Sequence, residues 1–128
     1  MSYRYIVIDD APFVVELIKN ILKGAGGLCV GDATNGEEGL HLFEKTLPDL
    51  VILDLVMPKK NGIEVAAEIR ALSGDVKIIA CSTLDEKNIM EKALTAGCDE
   101  YLLKPFSKES VLRAVSRFFS ITSEKSHE

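Results

Sequence analysis

The sequence predicts an α/β fold in which a five-stranded parallel sheet is covered by helices on both faces, as a three-layer sandwich. Short apolar runs alternate five times with stretches of helical periodicity. All but the second run are short and dominated by apolar residues, as expected of parallel strands buried on both sides. Acidic, hydroxyl and basic residues stand just past four of those runs, where a parallel sheet gathers its carboxyl ends along one edge. Short connections of this kind imply right-handed crossovers. Alternation alone leaves the strand order open.

The first strand is read at Tyr5–Ile8. A helix follows because Phe13, Val14, Leu17, Ile18, Ile21 and Leu22 recur at helical spacing. Pro12 is tolerated in a first turn, and Gly24, Gly26 and Gly27 end the run without the spacing of a phosphate loop. The second strand, Leu28–Ala33, is less uniform and reads as an edge. Asn35-Gly36-Glu37-Glu38 and Asn61-Gly62-Ile63-Glu64 resemble capping boxes opening the second and third helices, with Leu50–Leu53 as the strand between them. Val76–Cys81 and Glu100–Leu103 are the fourth and fifth strands. Asp85 and Ser107 are candidate caps of the last two helices, and Val111, Leu112, Val115, Phe118 and Phe119 give the fifth its apolar face. Residues 1–119 are expected to form one domain, and 120–128 a polar, frayed tail. There are no repeats, linkers or low-complexity segments.

A chain of 128 residues can bury a real core, and 47% hydrophobic with 27% charged residues argues against disorder. The net charge of −5 disfavours non-specific nucleic-acid binding. The start runs straight into a strand, so no secretory signal is expected, and no apolar stretch approaches the roughly 20 residues of a membrane span. Cys29, Cys81 and Cys98 lack metal-ligand spacing and read as small apolar residues of a reducing compartment. His41 and His127 support neither a triad nor a transition-metal site.

The chemistry lies in the strand ends. Asp9 and Asp10 follow the first strand and Asp54 the third. Carboxylates brought within about 4 Å repel by roughly 4 kcal/mol per pair at an effective dielectric near 20. A hard divalent ion such as Mg²⁺ removes that conflict. A carboxylate is also a competent nucleophile toward phosphorus, and phosphoryl transfer needs chiefly positioning and neutralised equatorial oxygens. Lys104 can supply an ammonium, the Ser82 hydroxyl a hydrogen bond, and backbone N–H groups near Thr83 further donors. Each feature has a plainer reading. Asp10 could cap the first helix, Ser82 could satisfy local backbone, and Lys104-Pro105 could mark a turn. Tyr101 could be a half-buried strand aromatic, and Gly62 could serve only to shape the loop after Asp54.

Asp9-Asp10, Asp54-Leu55-Val56-Met57-Pro58 with Gly62, Cys81-Ser82-Thr83 and Tyr101-Leu102-Leu103-Lys104-Pro105-Phe106 occur in that order. With them, residues 4–119 resemble the receiver domains of two-component response regulators, particularly small chemotaxis regulators of the CheY-like kind. The resemblance implies a flavodoxin-like sheet of order 2-1-3-4-5, and Asp54 as the phosphorylated residue. It implies Mg²⁺ (or Mn²⁺) held by Asp10, Asp54 and the Val56 carbonyl, with Asp9 acting largely through water. Ser82, Lys104 and the Thr83 backbone would bind the phosphoryl group. Ser82 and Tyr101 would form a switch toward the fourth helix, fifth strand and fifth helix, and Lys104-Pro105 is commonly cis in the family. Expected partners are a sensor histidine kinase or histidine phosphotransfer protein and a downstream protein target, with no nucleic acid or membrane contact. A cytoplasmic monomer or phosphorylation-dependent dimer is expected, acting as a signalling switch rather than an enzyme. Val56 and Leu84 replace polar residues that help place the hydrolytic water in fast-cycling relatives, which predicts a long-lived phosphate. Two alternatives stand beside this: a receiver belonging to a larger regulator, and an aspartyl-phosphate hydrolase of the haloacid-dehalogenase type. The second wants an Asp-x-Asp motif after the first strand, where this chain has Asp9-Asp10-Ala11-Pro12.

Overall fold

The side chains of Ile6, Val7, Ile8, Leu50, Val51 and Leu53 are almost wholly shielded from water, and the two strands that carry them form the centre of the fold. A computed structural model describes residues 2–57, 60–83 and 86–121. Five strands, β1 (Tyr3–Ile8), β2 (Gly27–Ala33), β3 (Leu50–Asp54), β4 (Lys77–Ser82) and β5 (Glu100–Leu103), alternate with five helices. The helices are α1 (Pro12–Lys23), α2 (Gly36–Thr46), α3 (Gly62–Leu72), α4 (Lys87–Ala96) and α5 (Lys108–Ser116). All strand pairs are parallel and the order is β2-β1-β3-β4-β5. The family resemblance implied this order, and the less uniform second strand is indeed an edge.

Side chains alternate across the sheet with the period of two that a pleated strand imposes. Tyr5, Val7, Leu50, Ile52, Ile79, Cys81 and Leu102 pack against α1 and α5. Ile6, Ile8, Val51, Leu53, Ile78 and Ala80 pack against α2, α3 and α4. Each aliphatic side chain fully removed from water contributes about 1.5–3 kcal/mol, so the central strands supply much of the folding free energy.

The second and third helices open on the Asn half of the expected capping boxes, with Glu38 Oε1 accepting the Thr34 N–H. The Asn35 side chain accepts the N–H of Glu38, and the Asn61 side chain that of Glu64. Ser107 and Ser110 form a reciprocal capping box. Asp10 does not cap α1; Ala11 holds that position, with no side-chain bond, and Pro12 begins the helix. Asp85 lies outside the described residues, and Glu86 precedes α4 without a side-chain cap. The last helix stops at Ser116, short of Phe118 and Phe119. Their N–H groups still bond back to the Val115 carbonyl in a closing turn, and Phe119 stacks on Tyr3, ring centroids 4.8 Å apart. Cys81 and Cys98 are buried and Cys29 is half-buried, all three as free thiols. Residues 122–128, which hold most of the expected tail, lie outside the described residues.

With β1 between β2 and β3, the chain crosses to one side to make β2 and to the other to make β3. The strand ends of β1 and β3 therefore flank the switch point where open parallel sheets bind ligands. Asp9 and Asp10 leave β1 there, beside the Asp54 end of β3.

Candidate functional site

Ile8 of β1 pairs with Leu53 of β3, so the residues just past them emerge side by side. One carboxylate oxygen from each of Asp9, Asp10 and Asp54 falls within a group whose members all lie within 4.8 Å of one another. Among the described residues this is the one such group able to hold a metal ion. Asp9 and Asp54 are buried, whereas Asp10 is exposed at the rim.

The buried carboxylates are aimed by their own backbone. Asp9 Oδ1 accepts the N–H of Ala11 at 2.9 Å, and Asp54 Oδ1 accepts that of Val56 at 3.1 Å. Such local bonds two residues ahead fix the side-chain rotamer. The two Oδ2 atoms are then left to face Lys104, whose Nζ lies 2.9 Å from Asp9 Oδ2 and 3.6 Å from Asp54 Oδ2. Lys104 reaches this point because its N–H donates to the Ser82 carbonyl at 2.8 Å, extending the β4–β5 ladder by one step. The Lys104–Pro105 peptide bond is cis.

Three carboxylates against one ammonium leave an excess of negative charge in a partly dry place. Burial raises the pKa of Asp54 from its ordinary value to about 6. The Val56 N–H works against that rise, Asp9 adds to it, Lys104 opposes it, and Asp10 adds a smaller push. For Lys104, burial favours loss of the proton, but the hydrogen bond to Asp9 and the charges of Asp54 and Asp9 outweigh it, and the pKa is raised. Lys104 thus stays a cation.

Ser82 ends β4, buried beside the same edge, and Thr83 follows it in an exposed bend. Tyr101 is half-buried in β5, paired with Ala80 and packed against the core cluster on the α2–α4 side. Val56 is 60% exposed at the mouth of the site. Leu84 lies outside the described residues. The fold therefore gathers Asp9, Asp10, Asp54, Val56, Ser82, Thr83 and Lys104 on one edge, with Tyr101 on β5, three residues before Lys104.

Gly62 does more than mark a turn. Its N–H donates to the Leu55 carbonyl at 2.9 Å, and a Cβ there would collide with the Asp54 carbonyl oxygen and sit 2.6 Å from Leu55 Cα. No side chain fits. Two further supports were not legible in the sequence. The Ala33 carbonyl accepts the Asp9 N–H at 3.0 Å, and Gly36 packs against Lys60 in the loop after Asp54. Both are contacts across the fold, and nothing in local composition announces them.

The family model of the response regulator receiver domain matches residues 5–116. The chain is 34% identical over 117 residues to the chemotaxis protein CheY of Thermotoga maritima, covering 91% of this chain and 98% of that one. It is 38% identical over 118 residues to the probable C4-dicarboxylate response regulator DctR of Bacillus subtilis, covering 91% of this chain but 52% of that protein. Among solved structures, the CheX–CheY–BeF3–Mg²⁺ complex from Borrelia burgdorferi is similar with a TM-score of 0.87 and 27% identity. That match covers 91% of this chain and 90% of the other.

Proposed function

Since the chain belongs to the response regulator receiver family, as a CheY-like member of two-component signalling, we propose that Asp54 is its phosphoryl acceptor. The donor is a sensor histidine kinase or a histidine phosphotransfer protein. The observation that carries this reading is the position of Asp54 Oδ2, at the switch point of the sheet and 3.6 Å from Lys104 Nζ. Domain limits follow the same reading, with residues 1–119 as the receiver and 120–128 as its polar tail.

The donor set fits a hard divalent ion. It offers carboxylate oxygens, no thiolate or imidazole, and more negative charge than Lys104 offsets. Asp10, Asp54 and the Val56 carbonyl would hold Mg²⁺ or Mn²⁺, with Asp9 acting largely through water. When bound, the ion would neutralise charge on the phosphoryl oxygens. An Asp54 carboxylate oxygen attacks phosphorus; the O–P bond forms as the P–N bond to the donor histidine breaks, and the electron pair stays on the imidazole nitrogen. With a pKa near 6, Asp54 is mostly ionised at neutral pH and ready to attack. Lys104 turns its ammonium from Asp9 to a phosphoryl oxygen, and the Ser82 hydroxyl and Thr83 N–H donate to others. In hydrolysis a water oxygen attacks phosphorus as the Asp54 O–P bond breaks, which releases inorganic phosphate and restores the carboxylate. Apolar Val56 at the mouth offers that water no hydrogen bond, which favours a long-lived phosphate.

Phosphorylation then draws Ser82 inward and Tyr101 after it, changing the surface of α4, β5 and α5 read by a downstream protein. The solved complex of the Borrelia relative with CheX supports a protein as partner. The chain acts as a switch in the cytoplasm, as a monomer or a phosphorylation-dependent dimer, without touching nucleic acid or membrane. No helix among the described residues is long and apolar enough to cross a membrane. The longer DctR relative favours a second arrangement, in which the same chemistry serves a receiver within a larger regulator.

The test is intact-mass analysis after acetyl phosphate in Mg²⁺. Wild type should gain one phosphate, Asp54→Asn none, and chelation with EDTA should abolish the gain. Labelling of the Asn variant at wild-type stoichiometry would remove Asp54 from the mechanism.

A further inference from the structure

We propose that Gly36 is a positioning residue for phosphorylation: by carrying no side chain it lets the first turn of α2 seat on the backbone of Lys60, and this seat holds residues 60–62 where Gly62 packs on the Asp54 carbonyl. The inference rests on Asp54 being the phosphoryl acceptor and Val56 a metal ligand.

Gly36 is the buried first residue of α2, and it is not among the glycines with positive φ. Conformational freedom therefore does not explain it, and alanine is the better helix former. Space does. A Cβ at position 36 would lie 2.5 Å from the Lys60 carbonyl oxygen, 2.7 Å from Lys60 Cβ and 2.8 Å from Val65 Cγ2. The nearest of these is backbone, so relief requires the loop itself to move.

Residues 60–62 have little room to yield. Their far end is closed by Gly62, whose N–H holds the Leu55 carbonyl and whose Cα faces the Asp54 carbonyl with no space for a side chain. The start of α2 is tied in turn to the opposite side of the acidic cluster. It follows Ala33, whose carbonyl accepts the Asp9 N–H at 3.0 Å, and is capped by the buried Asn35. Gly36 thus stands between the Asp9–Ala33 bond, three residues before it in the chain, and Lys60, two residues before the Gly62 that packs on Asp54 and Leu55. Displacing Lys60 moves Gly62 against the Asp54 carbonyl and so changes the separation of Asp54 from Asp9. Mg²⁺ tolerates little departure from its preferred geometry. A misplacement of about 1 Å originating away from the reacting atoms can cost about a hundredfold in rate.

Gly39, one turn further along α2, separates this role from simple packing. A Cβ there would also clash, at 2.6 Å from Ile8 Cδ1, but against a core side chain. Gly36→Ala and Gly39→Ala in the full chain should both lower stability in urea with EDTA present. Only Gly36→Ala should also weaken Mg²⁺ binding by calorimetry and slow labelling by acetyl phosphate at saturating Mg²⁺, each by about tenfold. Wild-type Mg²⁺ affinity and labelling rate in Gly36→Ala would overturn the proposal, as would equal losses in Gly39→Ala. If Gly36→Ala fails to fold, the wild-type chain decides by NMR. Added Mg²⁺ should shift the amides of Gly36 and Lys60 and leave Gly39 unmoved, and still amides at Gly36 and Lys60 would overturn it. A wild-type chain that neither binds Mg²⁺ nor takes label would overturn the reading of the site itself, and this inference with it.

Discussion

Asp54, the proposed acceptor, sits buried at the switch point of the sheet, where burial disfavours its charge, and that conflict has a measurable sign. Its pKa in the folded chain is raised from 3.8 to about 6, chiefly by burial. Between those values the folded state keeps a proton that the unfolded state has released. Stability therefore falls as pH rises through that window, and levels off above pH 6 or so. Full expression of the shift would be worth about 3 kcal/mol, and water reaching the open edge reduces this to about 1–2 kcal/mol. Asp54→Asn has no proton to lose at this site. Urea unfolding in EDTA should show wild type losing ground to Asp54→Asn between about pH 4 and pH 6. A difference independent of pH would mean that burial of this carboxylate carries no such cost. The acidic residues were legible in the sequence because each follows an apolar run and needs only the sheet to bring them together. Their aiming was not, since the Ala11 and Val56 N–H groups that hold Asp9 and Asp54 depend on the local turn. The pairing of Lys104 with Asp9 likewise depends on the order of strands, which one residue's neighbours do not reveal.

At the scale of elements, polar residues at helix starts proved the most readable signals, because capping is a contact of three residues' span. Asn35, Asn61 and Ser107 each accept the N–H three residues on. The last helix was overextended because Phe118 and Phe119 keep helical spacing, while the stacking of Phe119 on Tyr3 acts across the fold. The helices also differ in how firmly they are held. Asn61 opens α3 with a capping bond, and α3 buries Val65, Ala66 and Ile69. Glu86 opens α4 without one, and within α4 only Ala93 is buried among the described residues. Asn61→Ala should therefore cost about 1 kcal/mol in urea unfolding, whereas Glu86→Ala should stay within about 0.5 kcal/mol of wild type. Equal losses would mean that the capping bond at Asn61 contributes nothing beyond generic helix stability.

Over the whole molecule, one parallel sheet places the acidic cluster and Lys104 at the same edge and leaves Tyr101 between that edge and the lightly held α4. Alternation of strands and helices gave the fold class, but strand order followed only from the family resemblance, because local periodicity says nothing about which strands are neighbours. The proposed switch requires two states with different contacts along Ser82 and Tyr101. Tyr101→Ala should leave labelling of Asp54 nearly intact while shrinking the phosphorylation-dependent NMR shifts of α4, β5 and α5. Unchanged shifts would remove the aromatic from the route. All of this depends on where the phosphoryl group goes, and that can be read chemically. An aspartyl-phosphate, but not a phosphoserine or phosphothreonine, is reduced by borohydride to homoserine. After acetyl phosphate and Mg²⁺, peptide mapping of the reduced wild-type chain should find homoserine at position 54 alone. Homoserine at position 9 or 10, or a phosphate at Ser82 that survives reduction, would contradict Asp54 as the acceptor.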